Sequence, residues 1–128
     1  MKYDQFIAEV RNLAGLDSNE EAEKATRATL ETLKERLAGN EPSNLAAQLP
    51  EELQGSLEGT GGRQSFSVEE FYDRVAQKEG VGPDEAVTHA RAVATVLQTA
   101  VTGGEIDDVR SQLGNEYEEL FGQPGASA

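Results

Sequence analysis

Three features of this 128-residue chain predict an all-α fold. Apolar residues recur at the 3.6-residue period through most of its length. Glycines and capping residues interrupt that pattern where helices should start and stop. The pattern is also written twice, the second copy displaced by 64 to 65 positions. The expected architecture is a single-domain, pseudo-twofold helical bundle of two repeated units with three to four helices each. The first unit spans about 3–57, a Gly-rich linker covers 58–66, the second unit spans about 67–121, and the tail 122–128 should fray.

The first helix is expected over 3–14, with Phe6, Ile7, Val10, Leu13 and Ala14 on one face and Gly15 as its left-handed stop. Ser18-Asn19-Glu20-Glu21 has the form of a capping box, a Ser able to accept the N–H three residues on and a Glu able to reach back. The second helix should run from there to about Leu37. Ala22, Ala25, Thr26, Thr29, Leu30, Leu33 and Leu37 form its stripe, and Glu23 with Arg27 lies on a charged back. Gly39 closes it. Pro42 suits the first turn of a short third helix ending near Leu49, and Pro50 starts a further turn or two reaching Leu57. Residues 58–65 have no periodicity and read as a flexible connector. They lack the flanking strand, the following helix and the Lys that a phosphate-binding loop requires.

Beyond the connector the first half recurs. Phe6, Val10 and Gly15 fall opposite Phe71, Val75 and Gly80; Ala22, Arg27, Ala28, Leu33 and Gly39 fall opposite Ala86, Arg91, Ala92, Leu97 and Gly103. Ser67 to Glu70 repeats the capping box, and Gly82-Pro83 opens a long helix, 83–101, about 28 Å at ~1.5 Å per residue. That helix is apolar on more sides than its counterpart, so it should lie more centrally. Asp107 and Asp108 are expected in the first turn of the next helix, where the dipole favours carboxylates.

Composition narrows the partners. Eleven Lys and Arg against 24 Asp and Glu give a net charge of −13, which repels nucleic acid and anionic membrane surfaces. With four Lys, seven Arg and Glu more than fourfold in excess of Lys, the balance resembles that of salt-adapted cytosolic proteins, where ions screen the self-repulsion. No signal-peptide core and no apolar run of membrane-spanning length stand in the chain, so a cytoplasmic protein is expected. Without cysteine there is no disulfide, thiolate metal site or thiol nucleophile.

Little in the sequence carries chemistry. His89, the sole histidine, falls opposite Ala25 on the apolar stripe; it is read as a core residue first and an acid–base catalyst second. Arg27 and Arg91 occupy one position in the two copies. They could clamp a small anion between the halves, or each could pair with a carboxylate or cap a carbonyl in its own half. The acidic groups at Glu20, Glu21 and Glu23 and at Glu116, Glu118 and Glu119 lack the spacing of an EF-hand and read as solvated faces. No cofactor, metal or catalytic residue is expected.

Several stretches together resemble the domain-of-unknown-function 2267 family. They are Tyr3-Asp4-Gln5-Phe6, the run from Ala28 to Leu37, Asn44 to Leu53, His89-Ala90-Arg91-Ala92-Val93, Gly103 to Leu113 and Tyr117 to Phe121. Lys78 and Glu79 depart from it, replacing an apolar end of the helix. The resemblance implies a small all-helical bacterial or archaeal domain without an established activity, and it supplies no catalytic residue. The functional expectation is therefore a non-enzymatic module that meets an unidentified protein. The alternatives are an anion binder using Arg27, Arg91 and His89, and an enzyme centred on His89.

Overall fold

The computed structural model describes residues 1–122 and is helical throughout its regular segments. The expected tail, 122–128, falls outside the described residues apart from Gly122. Among the described residues seven α-helices occur, in the order α1 (Tyr3–Ala14), α2 (Asn19–Arg36), α3 (Glu41–Ala46), α4 (Glu51–Gln54), α5 (Val68–Glu79), α6 (Pro83–Ala100) and α7 (Gly103–Leu113), followed by a 3₁₀ segment, Asn115–Phe121.

The punctuation behaves as its chemistry requires. Gly15 and Gly80, both left-handed, end α1 and α5. Ser18 and Ser67 accept the backbone N–H groups of Glu21 and Glu70, each at 3.1 Å. The reciprocal arm of the box forms only at α6, where Glu85 accepts the N–H of Gly82 at 3.3 Å. Glu21 instead accepts the Ser18 hydroxyl, and Glu70 turns outward to Arg74.

Two pairs of equal length build the core: α1 and α5 have 12 residues each, α2 and α6 have 18 each. α1 packs on α2 and α6, α5 packs on α6 and α2, and α2 packs on α6. The core is mainly Leu, Val and Ala, anchored by Phe6, Phe71 and Tyr117, the last two edge-to-face at 5.7 Å. α6 also touches α7 and the 3₁₀ segment, as its wider apolar girth predicts. α2, however, buries as broad a face as α6, wider than its apolar stripe suggested. Thr26, Thr29 and Thr32 are fully buried and each returns its hydroxyl to the carbonyl four residues earlier at 2.8 Å. A Thr that bonds its own helix leaves no unmet donor and packs by its methyl group.

Other boundaries differ from expectation. The third helix is shorter, ending at Ala46. α7 begins at Gly103 because Thr102 caps it, accepting the N–H of Glu105 at 3.3 Å; Asp107 and Asp108 consequently lie past its first turn, and Glu105 takes the dipole-favoured place. The connector is irregular, yet it is bonded to the end of α2. The N–H groups of Gly61, Gly62, Arg63 and Gln64 donate to the carbonyls of Gly39, Lys34, Leu37 and Glu35 at 2.9–3.0 Å. These are carbonyls that a helix end otherwise leaves unmet. A Cβ on Gly61 would sit 2.1 Å from the Leu37 carbonyl oxygen, and one on Gly62 2.8 Å from that of Glu35. Glycine serves close approach here, rather than flexibility.

Candidate functional site

The sole histidine is sealed inside the bundle. His89, on α6, is 5% exposed, and its Nδ1 lies 2.5 Å from Oε2 of Glu79, the last residue of α5, itself 4% exposed. Oε1 of Glu79 is buried and has no hydrogen-bond partner. An imidazole so enclosed meets no substrate without opening of the α5–α6 contact; what the pair does in place is fasten those two helices together. Glu79 was missed in the sequence reading, although a signal was there. By register Glu79 falls opposite Ala14, as His89 falls opposite Ala25, so two small residues change together into a hydrogen-bonded pair.

Arg27 and Arg91 have different neighbourhoods. Nε of Arg27 lies 3.4 Å from Oε1 of Glu23, one turn earlier on α2, with both side chains well exposed. The Arg91 guanidinium reaches Gly122, an Nη atom lying 3.3 Å from where a Cβ of that glycine would stand. It also lies near Tyr72, whose hydroxyl donates to Glu119 at 3.1 Å. Burial first, and then the Glu119 carboxylate, push the Tyr72 phenol up, and the Arg91 charge opposes them. Two other arginines bridge the halves: Arg74 pairs with Glu35 at 3.1 Å, and Arg36 crosses in the opposite sense. Arg36 donates to the carbonyls of Gln112 and Leu113 at 3.2 and 3.0 Å and lies over the Tyr117 ring at 5.4 Å. No local spacing announces a bond between residues 76 and 77 positions apart.

Where α3 meets α7, three carboxylates converge. One oxygen each of Glu41, Glu105 and Asp108 lies within 4.8 Å of the others. Glu41 and Glu105 are each 8% exposed, while Asp108 is at the surface. Gln112 donates to Oε1 of Glu41 at a long 3.4 Å; Oε2 of Glu41 and Oε2 of Glu105 are both buried and accept no hydrogen bond. Burial, then the facing Glu41 carboxyl, and then Asp108 push the Glu105 carboxyl up to about 8. Sequence reading passed over this cluster because its members are 64 and 67 positions apart, counted from Glu41 to Glu105 and to Asp108.

A fourth feature lies along α1. Met1, Tyr3 and Pro50 form the apolar part of an open cleft of about 400 Å³, rimmed by Lys2, Asp4 and Glu52. A smaller depression of about 170 Å³ adjoins it through Tyr3 and Asp4 and extends the acidic rim to Glu20 and Glu23.

Fold and site together define a small, strongly acidic, all-helical domain. Among the described residues, no helix is long and apolar enough to cross a membrane. The chain matches the family described as "Uncharacterized conserved protein (DUF2267)" over residues 3–120, and it belongs to that family, in agreement with the motif resemblance. No curated protein matches it.

Proposed function

We propose that this chain is a non-enzymatic protein-interaction module built on a duplicated helical scaffold. Support for the duplication comes from hydrogen bonds that run in both directions. Gln48 Oε1 accepts the N–H of Thr102 at 2.8 Å, and Gln112 Oε1 accepts the N–H of Ala38 at 2.9 Å. Both members of each pair are shifted by the same 64 positions (38 to 102, 48 to 112), as an approximate twofold relation requires. The equal helix lengths point the same way.

The cleft on α1 is the observation that carries the interaction reading. Met1, Tyr3 and Pro50 offer an apolar anchor point, and Asp4, Glu20, Glu23 and Glu52 outnumber Lys2 around it, so the rim is net negative. The complementary partner presents an aromatic or aliphatic side chain flanked by Lys or Arg. The anion-binding alternative asks Arg27 and Arg91 to share a ligand; with Arg27 held by Glu23, it has less support. An enzyme centred on His89 is supported least, given the burial of that ring.

A photo-crosslinking side chain substituted at Tyr3 tests this in cytosol of the source at native salt. Trapping of a discrete protein from Tyr3, and not from exposed Asp73 on α5, is expected. Equal trapping at both positions, or none at either, would reject the cleft as an interface.

A further inference from the structure

We infer that Glu41, Glu105 and Asp108 form a binding site for a divalent cation of the hard, oxygen-seeking class, with Ca²⁺ or Mn²⁺ the best matched, which staples α3 to α7. The acidic convergence is one observation. The second is the state of the buried oxygens. Oε2 of Glu41 and Oε2 of Glu105 are sealed from solvent, belong to residues of that cluster, and accept no hydrogen bond from a backbone or amide N–H. A carboxylate removed from water costs several kcal/mol unless something replaces its hydration. Here two such groups face each other, the Gln112 amide reaches only the opposite oxygen of Glu41, and without a cation the pair has a shared proton as its remaining bond. A cation between the two would relieve both desolvation and mutual repulsion.

The dimensions fit. An ion with oxygen ligands at about 2.4 Å spans two oxygens up to about 4.8 Å apart. Three oxygens at that limit on every side lie about 2.8 Å from their centre, so the carboxylates need draw in by a few tenths of an ångström at most. Mg²⁺, at about 2.1 Å and with strict octahedral demands, would require the groups to draw in further. An all-carboxylate set, with neither His nor Cys, does not select Zn²⁺ or Cu²⁺. Asp108, at the surface, leaves room for water to complete the coordination. The net charge of −13 raises the local concentration of any cation, but a diffuse field yields no stoichiometry and does not depend on single carboxylates.

The test is calorimetric titration of the chelator-treated full chain with CaCl₂ and, separately, MnCl₂ in buffered KCl. Saturable binding of one ion per chain is expected, tighter for Ca²⁺ or Mn²⁺ than for Mg²⁺. Glu105→Gln should weaken it at least tenfold. Asp108→Asn, at an exposed position that leaves the core untouched, should weaken it by a smaller factor. Broadening of amide resonances by Mn²⁺ should centre on the first turns of α3 and α7. Three results would overturn the site: non-saturable uptake, saturable binding that both variants retain, or no binding with Glu41 and Glu105 holding a shared proton instead.

Discussion

Glu79 and His89 show what a single hydrogen bond does when both partners are buried. Their 2.5 Å contact joins the end of α5 to α6, and neither residue is more than 5% exposed. Removing one partner leaves the other without its bond in a dry setting, which costs more than the bond itself contributes. His89→Ala is therefore expected to lower stability by about 2–3 kcal/mol. Glu79→Ala combined with His89→Ala should recover part of that loss, because Ala14 and Ala25 hold the corresponding places in the first half. Urea denaturation of the three variants measures both effects; strict additivity of the two single losses would reject coupling between the side chains. Glu105 makes a different prediction. Its carboxyl ionises near 4.5 when unfolded and is raised to about 8 in the fold by burial, by Glu41 and by Asp108. Between those values the folded chain holds a proton that the unfolded chain has lost. Its contribution to stability should accordingly be present below about pH 4.5, decline as pH rises toward 8, and level off above it. Chelator-treated protein melted across that range should show the decline, and Glu105→Gln should flatten it. A wild-type profile as flat as that of the variant would mean the carboxyl is not raised.

At the scale of the element, the helix ends and the connector carry the lesson about what a sequence displays. Gly15, Ser18, Ser67, Gly80 and Pro83 act through bonds to residues within a few positions, so their chemistry is written locally, and the helices they bound were legible. The connector was not, because its glycines answer to carbonyls at Lys34, Glu35 and Leu37, more than 20 positions earlier. Composition alone reads such a stretch as loose. Gly61→Ala would force a methyl group to 2.1 Å from the Leu37 carbonyl oxygen, and the connector must detach or α2 must fray. A loss above about 2 kcal/mol is expected, in the range of overpacking that the backbone cannot relieve. Gly55 supplies the control: it is helical in backbone, and a Cβ there meets nothing within 4 Å. Gly55→Ala should be neutral or stabilising by about 0.5 kcal/mol. Similar midpoints for both alanine variants would show that the connector is held no more firmly than a free loop.

For the whole molecule, the core was readable and the long-range polar contacts were not. Leu, Val and Ala at helical spacing declare a buried face; Arg36 reaching Gln112 and Leu113, or Glu41 facing Glu105, declares nothing until the chain is folded. Charge operates at this largest scale as well. Arg27, Arg74, Lys78 and Arg110 are each paired with a carboxylate of the same chain, so the field beyond the surface belongs to unpaired Asp and Glu. At −13 this field works against compaction, since unfolding moves like charges apart. The screening length falls from about 10 Å at 0.1 M to about 3 Å at 1 M, shorter than the separation of most surface carboxylates. The melting temperature should therefore be higher in about 2 M than in about 0.1 M KCl. The shape of the rise separates two causes. Relief of repulsion is mostly complete within the first several hundred millimolar, whereas salts that strengthen apolar burial act in proportion to concentration up to molar levels. A steep early rise followed by a plateau is the expected form, and a variant with Glu51→Gln, Glu69→Gln and Glu20→Gln, all exposed, should show a smaller early rise. Equal melting temperatures at the two salt concentrations would remove the case for salt adaptation, leaving the acidic surface to solubility and to the partner proposed for the α1 cleft.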